Sequence, residues 1–202
     1  MKERLIKATL EEMKTRSLKF TMDDLARKLH ASKSSIYKVV DSKEDLIRLV
    51  VHWAMDIFER KEEILIHGKG PVNSRLIEFC GLFFKTFWYM PKPVYEDLQN
   101  KYEDIWKEWD DYRESKFDDI MRFLEEGVKT GEYRPVNLKI VRQCVFHAAW
   151  GMTDPKFLAE MNMTGSDMLE ALEDIILNGL KAGEHANIRT VPEESEKEEE
   201  RA

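Results

Sequence analysis

The sequence predicts an all-α protein, with a small three-helix module at the N-terminus and a longer helical bundle behind it. Three observations lead there. Apolar residues recur at three- and four-residue spacing along most of the 202 residues, and no stretch alternates as a half-buried strand does. Helix-start signals stand ahead of several of these runs. Two cysteines, Cys80 and Cys144, both inside apolar runs, provide no disulfide framework, so the core must come from packed helices. No internal repeat of fixed period is present.

The first helix is expected to run to about Arg16, with Ile6, Thr9, Leu10 and Met13 on one face. Thr21 and Asp24 form a capping box for a second helix carrying Met22, Leu25, Ala26 and Leu29. Ser32 can cap a short third helix, about Lys33 to Val39. A helix of that length is marginal alone, so Ile36 and Val40 are expected to anchor it. Ser42 with Asp45 opens a long fourth helix to about Ile66, with Leu46, Val50, Trp53 and Ile57 as its apolar series.

After the linker HGKGP, Pro71 suits the opening turn of a fifth helix that stops at MPKP, where Pro91 and Pro93 remove donors. A short helix after Pro93 and a long one to about Lys129 follow, the second ended by TGEY at 130–133. Residues 136–152 form another helix, DPKFLAEM at 154–161 a short one, and Ser166 is expected to cap a last long helix to 183. Residues 184–202 contain 7 acidic and 3 basic side chains and almost nothing apolar, so 185–202 reads as an acidic, mobile tail.

Charge is unevenly distributed. The net charge of −7 taken alone argues against a nucleic-acid partner, yet residues 1–50 hold 12 Lys or Arg against 8 Asp or Glu. A basic module on an acidic body can bind a polyanion locally while the body discourages indiscriminate attachment. The N-terminal stretch MKERLIKATLEEMK has no unbroken apolar run, so neither a signal peptide nor a membrane span is expected, and the cytoplasm is the expected location.

Catalytic chemistry finds little support. Asp110-Asp111, Asp118-Asp119 and Glu96-Asp97 are adjacent pairs, and neighbours on a helix point apart. The five histidines lack metal-ligand spacing, and no glycine loop with lysine is available to cradle phosphate. No enzyme, metal or cofactor is expected.

The second helix, the HASK corner and the third helix have the proportions of a helix-turn-helix, although short capped helices also occur in plain bundles. Within FTMDDLARKLHASKSSIYKVVDSKEDLIRLV, residues 20–50, the combination of Thr21, Ala26, Ala31, Ser32, Tyr37, Lys43, Glu44 and Leu46 resembles the DNA-binding domain of the TetR family of bacterial and archaeal transcriptional regulators. The likeness covers roughly residues 5–55. It departs at Ser17 and Ser34, where glycine is usual, and at Val39 and Val40, where an aromatic pair is usual.

The resemblance implies a helix-turn-helix DNA-binding domain at 1–47 and a ligand-sensing and dimerisation bundle at 48–184. Thr21, Ser32, Tyr37 and Lys43 are assigned to the DNA backbone, with Lys43 at the positive start of the fourth helix. Ser34 and Lys38 are assigned to base edges, beside Lys33 and Ser35 as exposed members of the third helix. Ser32 reads equally well as a cap alone; the lesser alternatives are a packing tyrosine for Tyr37 and a solvated lysine for Lys43.

For the body, the resemblance implies a pocket for a mostly apolar small molecule among Phe79, Phe83, Phe87, Trp88, Trp106 and Trp109, with His147 offering an imidazole. The same rings also make an ordinary core, and His147 an ordinary core or subunit contact. It further implies a homodimer through the last two long helices, at Val145, Leu169, Leu172, Ile176 and Leu180, reading a palindromic double-stranded operator. Repression is the family's habit. The competing reading is a non-enzymatic helical module whose headpiece binds another protein.

Overall fold

A computed structural model describes residues 1–87, 91–152, 158 and 160–181. Trp88, most of the 154–161 segment and the tail at 185–202 lie outside the described residues. The fold is all-α. Its helices are α1 (Lys2–Arg16), α2 (Met22–Leu29), α3 (Lys33–Tyr37), α4 (Lys43–Ile66), α5 (Val72–Phe87), α6 (Lys92–Lys101), α7 (Glu103–Thr130), α8 (Leu138–Met152) and α9 (Gly165–Leu180), with a 3-10 turn at Ser17–Lys19. Among the described residues no helix is long and apolar enough to cross a membrane.

The chain divides into two compact units. The first takes Met1–Gly68 and Glu78–Asp118. In it α1 packs on α2 and α4, α2 on α3, and the Ser17–Lys19 turn on α6. Leu5, Ile6, Phe20, Leu25, Ile36, Leu46 and Ile47 form the headpiece core. Thr9, fully buried, returns its hydroxyl to Leu5 O at 2.8 Å and so leaves no unpaired donor there.

Along α4 the sequence reading needs one correction. The residues that reach the core beyond the headpiece are Phe58, Glu62 and Leu65, while Trp53 and Ile57 are only half-buried. Facing α5 and α7 side chains decide which stripe of a long helix is covered. Periodicity alone leaves two adjacent stripes almost equivalent.

The second unit takes Lys69–Ile77 and Asp119–Ala202. No hydroxyl of its own caps α5. Instead the Glu132 carboxylate accepts from Val72 N at 2.9 Å and Asn73 N at 3.1 Å, placing negative charge at the positive end of the helix. Gly131, at φ 78°, turns the chain after α7, and Tyr133 N then donates to Gly127 O at 2.9 Å. The buried Tyr133 ring lies so close to Gly127 that a Cβ there would stand 2.1 Å from it. Gly127 is therefore a close-approach residue as well as a weak helix former.

The start of α9 differs from expectation. Thr164, not Ser166, is the cap: Asp167 N donates to Thr164 Oγ1 at 3.2 Å, and Thr164 N to Asp167 Oδ2 at 2.7 Å. A threonine with Asp at i+3 closes a reciprocal box, which a serine followed by Leu169 cannot. α8 packs on α9.

Candidate nucleic-acid interface and ligand core

The headpiece presents α3 by local rules. At the head of α2, Asp24 N donates to Thr21 Oγ1 at 3.2 Å, while Thr21 N and Thr21 Oγ1 donate to Asp24 Oδ2 at 2.8 and 2.7 Å. These bonds from Thr21, helped by Arg16, hold the Asp24 carboxyl below its ordinary range. α2 stops at His30, which takes a left-handed conformation at φ 49°, and Ala31 N closes back on Ala26 O at 3.0 Å. Five residues of α3 follow at once.

Ser32 caps them, accepting from Ser35 N at 3.1 Å with the two hydroxyls 2.8 Å apart. Ile36 and Val40 are buried, so α3 is fixed from below by the two residues expected to do it. Ser32, Lys33, Ser34, Tyr37 and Lys38 are exposed and Ser35 is half-buried; Tyr37 shows 45 % of its surface. Thr21 is exposed.

Two of the lysines have partners. Lys33 Nζ lies 2.7 Å from Asp23 Oδ2, and that bond raises its pKa. Lys43 Nζ donates to Leu18 O at 2.6 Å and sits 4.7 Å from the centre of the Phe20 ring. Burial there lowers its pKa. The Lys43 ammonium therefore ties the head of α4 to the corner after α1. Lys38, just after α3, is exposed.

In the body, α4, α5 and α7 bring an aromatic cluster together around Phe58. Its ring centre is 5.7 Å from Phe79, 6.3 Å from Phe83, 5.0 Å from Phe87 and 6.4 Å from Tyr112, mostly edge to face. Phe87 continues to Trp109 at 4.9 Å, and Phe83 to Phe117 at 5.3 Å. Four of the expected ligand residues, Phe79, Phe83, Phe87 and Trp109, thus share one buried ring cluster.

Of the others, Trp88 lies outside the described residues. Trp106 is half-buried against Tyr95 at 4.5 Å, and His147 is exposed on α8 in the second unit. Phe58, Tyr112 and Phe117 complete the cluster, and the sequence spacing gave no reason to group them. Among the described residues no group of His, Cys, Asp and Glu is placed to hold a metal.

On α8 and α9, Val145, Leu169, Leu172 and Ile176 are half-buried, whereas Leu180 is buried within the protomer. Two apolar residues on these helices stand well into solvent: Ile140 at 60 % and Ile175 at 67 % exposure.

No protein-family profile matches the chain. It is 21 % identical over 188 residues to an uncharacterized HTH-type transcriptional regulator, YvaF, of Bacillus subtilis strain 168, spanning 93 % of this chain and 99 % of that protein. A TetR/AcrR-family transcriptional regulator from Thermobifida fusca superposes with a TM-score of 0.66 at 21 % identity, over 90 % of this chain and 98 % of that one. A putative transcriptional regulator from Saccharomonospora viridis, solved with choline, gives a TM-score of 0.70 at 15 % identity, over 90 % and 98 % of the two chains. At these identities the likeness establishes the fold, which this chain shares along nearly its whole length with transcriptional regulators of the TetR/AcrR type.

Proposed function

We propose that the chain is a TetR-family transcriptional regulator that binds a palindromic operator as a homodimer and is released by a mostly apolar small molecule. Residues 1–47 serve as the DNA-binding domain and 48–184 as the sensing and dimerisation domain. The observation that carries the reading is α3: a five-residue helix capped at Ser32, anchored by Ile36 and Val40, with Ser34, Tyr37 and Lys38 turned outward. A protein that needed only a stable bundle would gain nothing from exposing that tyrosine.

In this account Ser34 and Lys38 reach base edges, and Thr21, Ser32, Ser35 and Tyr37 position the backbone. Lys33 and Lys43 contribute largely by holding α3 and the head of α4 in place, through Asp23 and Leu18. One short helix without an arginine fork carries little discrimination, so two headpieces are required for a specific site. The exposed Ile140 and Ile175, with the half-buried leucines of α9, support a second copy as the partner.

The effector is placed against the aromatic cluster around Phe58. α4 carries that phenylalanine and begins at Lys43 in the headpiece; at 1.5 Å per residue it spans about 36 Å. A displacement of its far end alters headpiece spacing, and half-sites one helical turn apart tolerate little error. Repression is proposed on the habit of the family alone.

Selection from genomic DNA fragments tests the reading. The dimer should enrich a short inverted repeat. Absence of any enriched site, together with salt-independent binding of a partner, would favour a headpiece that binds protein instead.

A further inference from the structure

Beside the phenylalanine cluster lies a buried ion pair. Glu62 on α4 is 5 % exposed, and its Oε2 accepts from Lys116 Nζ of α7 at 2.6 Å. The ammonium also stands 4.9 Å from the centre of the Tyr112 ring and 5.9 Å from that of Phe58. One carboxylate and two ring faces around a cation are the surroundings in which proteins hold organic ammonium groups.

Stability alone accounts poorly for such a pair. Removing both charges from water is costly, and apolar residues of similar volume are often at least as stabilising. We propose that Glu62, with Tyr112 and Phe58, recognises a positively charged head group on the effector, in the place that the Lys116 ammonium takes in this structure.

The two members of the pair are not equivalent. Lys116 is the more exposed side chain, 13 % against 6 %, and its flexible four-carbon stem can swing the ammonium outward. Glu62 is shorter and deeper. A cationic ligand replaces the lysine, whereas an anionic one would have to displace the fixed member.

The inference rests on the sensing reading above and narrows it: the effector is an amphiphile whose apolar part lies along Phe83 and Phe87 and whose ammonium meets Glu62. Because Glu62 sits on α4, exchanging Lys116 for a ligand acts directly on the helix that begins in the headpiece.

The test is titration calorimetry of the full chain with octyltrimethylammonium, octanoate and 1-octanol, followed by operator release with each. The cation should bind about tenfold more tightly than either other probe. Lys116→Met, which removes the internal competitor, should tighten cation binding about tenfold more, and Glu62→Gln should weaken it by at least about tenfold, with octanol binding little changed in both. Glu62→Asp, which keeps the charge, should retain cation preference and serves if Glu62→Gln does not fold. Preference for octanoate, or weaker cation binding by Lys116→Met, overturns the inference. Octanol releasing operator where the cation does not would sink it and leave the sensing reading intact; no binding by any of the three would count against both.

Discussion

Ser17, the residue that turns the chain out of α1, donates its hydroxyl to Asp97 Oδ2 at 2.6 Å, a contact between positions 80 residues apart. Leu18 N donates to the same oxygen at 3.3 Å, and Lys101 Nζ to the other at 2.6 Å. With Lys43 on Leu18 O, the corner between α1 and α2 is held from α4 and from α6 together. α6 lies wholly in the region assigned to sensing, and α4 runs into it from the headpiece.

The hydrogen bond from Lys101, then that from Ser17, depress the Asp97 pKa from 3.8 to about 2. A depressed carboxylate stabilises the fold fully above its unfolded value and loses that contribution as pH falls through the folded one. The stability difference between wild type and Asp97→Asn should therefore be constant above about pH 5 and shrink steadily toward pH 2. Urea melts across that range measure it; a difference that persisted unchanged to pH 2 would mean Asp97 contributes nothing through its charge.

Ser17 occupies φ 55°, a region that favours glycine. Ser17→Ala keeps the unfavourable backbone and loses the hydroxyl, whereas Ser17→Gly loses the hydroxyl but relieves the backbone. Glycine should be the more stable variant by about 1 kcal/mol in thermal or urea melts. The reverse order would show that the conformation is not strained.

Lys43 separates two roles by a single substitution. If its ammonium ties α4 to Leu18, Lys43→Met should lower stability by about 1 kcal/mol and weaken operator binding together. An unchanged melt with weaker DNA binding would return the residue to direct phosphate contact.

Ile175→Glu places a charge on the most exposed apolar site of α9. The account predicts, in analytical ultracentrifugation at micromolar concentration, a dimeric wild-type chain and a monomeric variant whose helical content is preserved. A variant that remained dimeric would move the interface elsewhere.

What the sequence made legible was local. Thr21, Ser32 and Ser42 each carry a cap within three residues of the donor they satisfy, and all three caps are present. Ile36 and Val40 were readable as anchors because a helix so short offers few other apolar residues. The ring cluster was legible only in part: Phe79, Phe83 and Phe87 share one helix, but Tyr112 and Phe117 reach them from α7, and a choice between Ile57 and Phe58 depends on what faces α4. Asp97 on Ser17, and Glu132 on the head of α5, join residues far apart in the chain, and nothing in the spacing of a single sequence encodes such a meeting.

The central claim is that α3 reads DNA, and Tyr37 tests it most directly. Affinity for the enriched duplex should be measured by fluorescence anisotropy at several salt concentrations for wild type and Tyr37→Ala. The account predicts tight wild-type binding whose logarithm falls linearly with the logarithm of salt concentration, and a Tyr37→Ala protein, equally folded and dimeric, that binds about tenfold more weakly. Identical affinities for the two proteins, or binding indifferent to salt, would contradict it.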